Sequence, residues 1–519
     1  MICMNLIEAV GIQYYIKDKL LLDIEHVKIE QNARIGLVGV NGSGKSTLIN
    51  ILHGSLKPDT GHIHRYGSSE VLSQLVDHEQ PKSGGEITQE NVQEKLLLAP
   101  ELLFADEPTS NLDTSHIEWV EKRLKNYQGA LVIVSHDRAF LDSICTVIWE
   151  LEDQKIKVYK GNYSTYQQQK LAEKERQMVA YEKYEAKRKQ LEKALKLKKL
   201  NAEKTTKVKE IEVRGSKPHF AKKQKKLYQS VKAIESRMKN LERVERVKEI
   251  PQVKMDLPNE DYIKGKMIAR LESVSCKVGS KILWKPATFY IKGGDKLAIL
   301  GPNGSGKSTL VNMVIEGAEG VSVSPHSKIG YFRQDLMTID DELSVLENVQ
   351  SSSVQHETLI RTVLARLHFY GDDVYKKVGV LSGGERVKVS LAKLFVRDIN
   401  TLILDEPTNF LDIQAVTALQ SLLQEYDGTV LFVSHDRRFV EQVANRILRI
   451  ENQELVMYEG GYQEVKENAR TNKQSIINEE LMVIENRIID VLSRLSLEPS
   501  EELENEFQKL LAHKRLLKD

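Results

Sequence analysis

Lys45 and Lys307 each close a glycine-rich string. The first reads Gly39-Val40-Asn41-Gly42-Ser43-Gly44-Lys45-Ser46-Thr47 and the second Gly301-Pro302-Asn303-Gly304-Ser305-Gly306-Lys307-Ser308-Thr309. Both fit G-x-x-x-x-G-K-S, the pattern of a phosphate-binding loop. Its glycines let successive backbone N–H groups turn toward phosphate oxygens. A helix following the loop adds the positive end of its dipole. In such a loop Lys45 and Lys307 reach the β- and γ-phosphates, and the hydroxyls of Ser46 and Ser308 are placed to ligate Mg2+.

The loop needs a strand before it and a helix after it. Ile35-Gly36-Leu37-Val38 and Leu297-Ala298-Ile299-Leu300 are short apolar runs that supply the strand, and a helix-like segment follows each loop. Two such strings in this context set aside a plain glycine-rich turn. At 519 residues the chain has room for two to four domains, each with its own core. Cys3, Cys145 and Cys276 match no metal spacing and suit a reducing cytosol, so a cytoplasmic location is expected. No apolar run approaches the length of a membrane span, and the N-terminus has no basic lead of a secretory signal.

The chain repeats itself. After each loop come a lone glutamine (Gln74, Gln334), a Ser-Gly-Gly-Glu string, an apolar run ending Asp-Glu-Pro-Thr, and Ser-His-Asp-Arg. Lys45 and Lys307 are 262 positions apart, whereas Ser83 and Ser382, Glu107 and Glu406, and His136 and His435 are each 299 apart. The difference lies between glutamine and Ser-Gly-Gly-Glu: 9 residues in the first copy and 48 in the second.

This set resembles the nucleotide-binding domain of ABC ATPases, in two copies over about 400 residues. The resemblance implies an α/β fold with ATP and Mg2+ bound in each copy. Asp106 and Asp405 would hold the metal through water, with Ser46, Ser308, Gln74 and Gln334. Glu107 and Glu406 would align and polarise the attacking water, and His136 and His435 would contact the γ-phosphate. In that family the signature of one domain covers the ATP of the other. Gly39–Ser46 would then pair with Ser382-Gly383-Gly384-Glu385, and Gly301–Ser308 with Ser83-Gly84-Gly85-Glu86. The aromatic that stacks on adenine would be Tyr14 or Tyr15, with Tyr15 taken as the candidate, while the second copy offers Val278 and Gly279 there.

Residues 161–250 form the other informative stretch. They carry 26 Lys+Arg and 12 Asp+Glu, a net +14 within a chain whose total is +1. Tyr163 to Ala202 has no proline or glycine and reads as a long helix. Leu227, Val231, Ile234, Met238 and Leu241 follow an a/d heptad spacing, and Pro218 suits the start of this second helix. An antiparallel hairpin follows, with its tip at about 203–217. Lys204, Lys207, Lys209 and Arg214 interleave there with Val208, Ile211 and Val213, and Lys222, Lys223, Lys225 and Lys226 cluster beyond it. Such charge suits a polyanion. In the tail, Leu481, Ile484, Ile488, Val491 and Leu495 step as a helix does.

The domains expected are an ATPase domain at 1–160 with a shortened helical part, the basic hairpin at 161–250, a second ATPase domain at 251–466, and a helical extension at 467–519. Tandem domains joined by a charged helical linker, without membrane spans, resemble the ABC-F family. The strings Tyr159–Ser164, Gly215–Gln224 and Leu492–Leu503 are similar to those of its Vga-type antibiotic-resistance proteins. That resemblance implies an ATP hydrolase that binds the ribosome (large-subunit rRNA and P-site tRNA). Its linker tip would approach the peptidyl-transferase centre and displace lincosamides, group A streptogramins and pleuromutilins. It also implies a monomer with paired domains, no membrane subunit and no DNA partner. The alternatives are a drug-independent translation factor on stalled ribosomes and a DNA-associated ATPase.

Overall fold

The computed structural model describes residues 4–72, 84–110, 112–207, 217–242, 244, 265–333, 339–462 and 464, and in the tail 484, 487–488, 491, 504 and 507–511. The chain forms two compact units. One comprises Met1–Ile144, Trp149–Lys157 and Gln252–Asp519; the other Cys145–Ile148 and Val158–Pro251.

The sequence repeat becomes a structural one. Strands Asn5–Ile16 and Lys19–Glu30 pair as a long hairpin and join Thr60–Arg65 in a three-stranded antiparallel sheet. A six-stranded sheet follows in the order Ser69–Leu72, Leu102–Asp106, Ala130–Val134, Arg34–Val38, Val147–Glu152 and Lys155–Lys160. The second copy repeats this order with Ile329–Phe332, Thr401–Asp405, Thr429–Val433, Lys296–Leu300, Arg446–Glu451 and Glu454–Tyr458. Even the register is kept: Ile35 faces Val132, and its counterpart Leu297 faces Leu431. All five residues of Ala130–Val134 and of Thr429–Val433 are buried. Such continuous apolar runs form parallel strands covered on both faces.

This order decides where chemistry can occur. The strands ending at Val38, Asp106 and Val134 are neighbours and parallel, so their C-terminal ends lie together. The phosphate loop, Glu107 and His136 leave from those three ends. Ligands of open parallel sheets collect at that edge.

The copies differ in their helical parts. The second packs Val345–Gln350, Glu357–Arg366 and Gly383–Phe395 into a core that includes Val349, Ile360, Val363 and Leu364. In the first, a single described helix, Gly84–Leu97, stands between Leu72 and the strand Leu102–Asp106.

The second unit is dominated by helix Tyr163–Lys207, of 45 residues, and helix Lys217–Lys239, of 23. Asn162 caps the first, its Oδ1 accepting from Thr165 N at 3.0 Å. Tyr159, Tyr163 and Tyr166 cluster at the same end. The helices pack together, with Lys199 paired to Glu235 at 2.8 Å. Val231 is buried while most of its helix neighbours are exposed, as the heptad spacing requires. The centre of the expected tip, with Val208, Lys209, Ile211, Val213 and Arg214, lies outside the described residues, as does most of the tail. Within the tail Ile484 and Val491 are helical and buried. Among the described residues no helix is long and apolar enough to cross a membrane.

Two glycines show how tightly the phosphate loops sit. Gly44 and Gly306 have φ of 101° and 98°, where other residues are strained. A Cβ on Gly306 would come within 2.3 Å of the buried Trp284 ring, and one on Gly44 within 3.1 Å of Leu21 and Leu22. We expect Gly306→Ala to destabilise its domain by about 2–4 kcal/mol, combining left-handed strain with overpacking. Gly44→Ala should cost less, because aliphatic side chains can shift. Denaturant midpoints of the two variants check the order.

Candidate active site

Each phosphate loop turns its lysine inward. Lys45 Nζ donates to Gly39 O at 2.9 Å and Val40 O at 3.1 Å, and Lys307 Nζ to Gly301 O at 2.9 Å and Pro302 O at 3.0 Å. Both ammonium groups are buried, and desolvation lowers both pKa values. Ser43 Oγ and Ser305 Oγ are buried without a hydrogen-bond partner. Helices Lys45–His53 and Lys307–Glu316 begin at glycines and lack a side-chain cap, which leaves first-turn amides to be satisfied by a ligand. Buried lysines held only by carbonyls, orphan hydroxyls and uncapped helix starts all suit a polyphosphate.

Beside each loop stand a glutamate and a histidine. His136 Nε2 lies 3.2 Å from Glu107 Oε1, and His435 Nε2 3.2 Å from Glu406 Oε1. Glu107 and Glu406 take left-handed φ angles of 52° and 48°, uncommon for a side chain of this kind. Their N–H groups donate to Val134 O at 2.9 Å and Val433 O at 3.0 Å, so the neighbouring strand holds the turn. Burial pushes both carboxyls up to about 7, against the pull of Lys45 or Lys307. Burial lowers both imidazoles to about 4, with the same lysines adding to the shift. The site thus holds neutral histidines and carboxyls poised to gain or lose a proton near neutrality.

Each loop also reaches the other copy. Asn41 N donates to Asp412 Oδ2 at 3.2 Å, and its counterpart Asn303 N to Asp113 Oδ2 at 3.0 Å. Asn41 Nδ2 donates to Phe410 O at 3.0 Å. Asp113 and Asp412 cap their own helices at the same time, accepting from His116 N and Ala415 N. Burial alone would raise the Asp113 carboxyl, but bonds from Ser115, Asn303 and His116 hold it well below the carboxylate range. The sequence reading missed these aspartates. The signal was there: Thr109-Ser110-Asn111-Leu112-Asp113 and Thr408-Asn409-Phe410-Leu411-Asp412 keep the 299 spacing of the glutamates.

A cavity of about 770 Å3 joins these groups. Gly42, Gly44, Lys45, Ser46, Thr47, Asp106, Glu107 and His136 line it from one copy, and Ser382, Gly384, Glu406 and His435 from the other. Ser382 caps helix Gly383–Phe395 in a reciprocal arrangement with Glu385. A Cβ on Gly384 would come within 2.6 Å of Phe410 O and 3.1 Å of Asn41 Nδ2. Only a glycine fits between the signature and the opposite phosphate loop.

Tyr15, the expected base-stacking aromatic, does not line this cavity. Its ring is exposed, and its N–H donates to Asp59 Oδ2 at 2.7 Å. Ile16 and Leu21 line it instead. Alternation puts adjacent residues of a strand on opposite faces, and a register shift falls between Tyr14 and Tyr15. Gln74, Gln334 and Ser83 lie outside the described residues, while Gly84 and Gly85 begin a helix. Lys204, Lys207, Lys222 and Lys223 are helical, and Lys225 and Lys226 are exposed. Among the described residues no group of three His, Cys, Asp or Glu could cage a metal. A Mg2+ held by one or two protein oxygens and by phosphates needs no such cage.

Comparison with known proteins fits this geometry. A family model described as "ABC transporter" matches residues 22–81 and 284–409, and a second with the same description matches 149–258. The chain is 32% identical to the ribosome protection protein VmlR of Bacillus subtilis, over 86% of this chain and 87% of that protein. It is 33% identical to the erythromycin resistance ATP-binding protein MsrA of Staphylococcus epidermidis, over 86% of this chain and 97% of that protein. Among solved structures, the complex of the archaeal ribosome recycling factor aABCE1 with the stalk protein aP1 is alike in fold, with a TM-score of 0.60. Identity there is 18%, over 89% of this chain and 92% of that one. Two nucleotide-binding copies in one chain, a helical segment between them, and relatives matched along nearly their whole length place the protein in the ABC-F family of ATPases.

Proposed function

We propose that this ATPase binds the ribosome and protects it from antibiotics of the peptidyl-transferase centre: lincosamides, group A streptogramins and pleuromutilins. One observation carries the reading. A chain with composite nucleotide sites also builds a long helical pair from the stretch that holds its excess positive charge. Neutralising rRNA phosphates is what such a surface does well. The names of two relatives, one for ribosome protection and one for erythromycin resistance, support the choice of ribosome and of antibiotic resistance; the three drug classes rest on the resemblance of the sequence strings.

In the proposed cycle the loop amides and helix starts receive the ATP phosphates, and Lys45 and Lys307 turn from their carbonyls to the β/γ oxygens. Ser46 and Ser308, with Asp106, Asp405, Gln74 and Gln334, would hold Mg2+. The ion would supply charge neutralisation across the β- and γ-phosphates. Glu107 and Glu406 hold the attacking water in line and accept its proton. His136 and His435 donate a ring N–H toward the γ-phosphate. Ser382, Gly383 and Gly384 cover one phosphate chain; Ser83, Gly84 and Gly85 cover the other. ATP therefore stabilises the paired domains, and hydrolysis releases them. The segment around Lys204–Arg214 acts at the drug site, and Lys222, Lys223, Lys225 and Lys226 contribute affinity.

Combining Glu107→Gln with Glu406→Gln should leave nucleotide binding intact and lower turnover by about 10²-fold or more. The free carboxyls sit near 7, and only the ionised form accepts a proton. Wild-type kcat/KM should therefore rise as pH is raised through about 7 and level off above it. A profile already flat below pH 6 would remove the general-base role.

Tyr15→Ala should leave the KM for ATP within about twofold, whereas Ile16→Asp should raise it by about tenfold, the cost of placing a charge where an apolar surface meets the base. Steady-state kinetics of the two variants decide between Tyr15 and Ile16.

Cells expressing the protein should tolerate the three drug classes better than cells without it. Replacing 203–217 with a Gly/Ser loop of equal length should remove that protection while sparing ATPase activity and most ribosome binding. Changing Lys222, Lys223, Lys225 and Lys226 together to Gln should flatten the salt dependence of binding, by roughly 0.7–0.9 in log–log slope per lost phosphate contact. Ribosome binding with no drug phenotype would point to a drug-independent translation factor. Co-sedimentation with DNA in place of ribosomes would overturn the reading altogether.

A further inference from the structure

The two Ser-His-Asp-Arg loops are coupled to each other. Each histidine faces its own glutamate, but the next two residues face the other copy. Arg138 is 3% exposed, and its Nη2 lies 3.6 Å from Asp436 Oδ2. Its Nη1 and Nη2 donate to Gln420 Oε1 at 3.2 and 3.3 Å. Arg437 interacts electrostatically with Asp137 and donates from Nη2 to Glu121 Oε2 at 3.0 Å, with Glu118 at 3.9 Å. Asp137 Oδ2 is buried with no hydrogen-bond partner, as are Arg138 Nε and Arg437 Nε. The helices that begin at Arg138 and Arg437 pack on each other, and His136, Asp137, His435 and Asp436 line one cavity.

We propose that Asp137, Arg138, Asp436 and Arg437 are positioning residues that hold both switch histidines in place together, so that the two ATP sites turn over cooperatively. A buried guanidinium or carboxylate that loses its partner is costly. Neither loop can leave its site without stripping the other of a counter-charge. Nucleotide at one site therefore fixes the histidine of both.

The quartet is not symmetric. Glu121 and Gln420 occupy equivalent positions, 299 apart, yet one is charged and the other neutral. Arg437 has Asp137, Glu121 and Glu118 around it, whereas Arg138 has Asp436 and the neutral Gln420. Arg138–Asp436, at 3.6 Å, is the direct ion pair between the two loops, while Arg437 pairs chiefly with Glu121 at 3.0 Å.

The inference rests on the proposed roles of Glu107, Glu406 and the histidines. In the full chain carrying Glu406→Gln, turnover comes from the site of Glu107. Adding Arg437→Met, on the other loop, should lower the remaining kcat by about tenfold, as expected when a group acting on the transition state is misplaced. KM for ATP should stay unchanged; the thermal midpoint should fall, so kcat is read per folded molecule at a temperature well below it. Wild-type turnover against ATP concentration should give a Hill coefficient well above 1 that falls to 1 in Arg138→Met, and the exchange of Arg138→Asp with Asp436→Arg should restore it. Gln420→Glu, a mild change, should raise the coefficient by giving Arg138 a second counter-charge. A Glu107→Gln, Glu406→Gln pair that turns over as fast as the wild type would break the functional reading and the coupling with it. Normal turnover in Glu406→Gln with no further effect of Arg437→Met, or no response to Gln420→Glu, would overturn the coupling alone.

Discussion

A backbone amide of each phosphate loop, on Asn41 or Asn303, is held by an aspartate of the other copy. The rest of the machine depends on this pair of bonds. Asp113 and Asp412 are rigid because each also caps a helix packed in its own domain. The loop is thus fixed against a firm element across the interface. Gly384 fits closely on Asn41 at the same place, so signature and loop share a contact surface. Neither copy could assemble this arrangement alone, which explains why the chain carries two.

Within that frame the chemistry is set by burial. A carboxylate taken out of water binds a proton more readily, and an imidazole less so. Glu107 with His136, and Glu406 with His435, are shifted in these opposite directions by the same enclosure. The left-handed backbone at both glutamates is the accompanying strain. It is tolerated because the N–H that would otherwise be stranded bonds to the adjacent strand. Strained geometry held in place by its surroundings is common where a side chain must be aimed at substrate.

Much of this was legible from the residues. The phosphate loops, the glutamates and the histidines could be found because their spacing repeats, and the repeat carried the two-domain α/β fold with it. The helical pair was legible from its composition and from the Leu227–Leu241 heptads. What escaped falls into two kinds. Asp113, Asp412, Arg138 and Arg437 act across the interface, and a local pattern does not announce a partner some 190 to 370 positions away. Tyr15 lies beside the cavity wall and Ile16 on it, a difference of one residue next to a register shift that leaves no mark in the sequence.

The uneven helical parts have a consequence for how the chain comes into being. In the second copy, helices Val345–Gln350 and Glu357–Arg366 enclose Val349, Ile360, Val363 and Leu364 and tie the middle of the domain to its sheet. The first copy has Gly84–Leu97 in that role, and Leu97 and Leu98 at its end stand in water. Local stability follows the apolar surface an element buries. Synthesis therefore delivers first the domain with less to hold its helical part down.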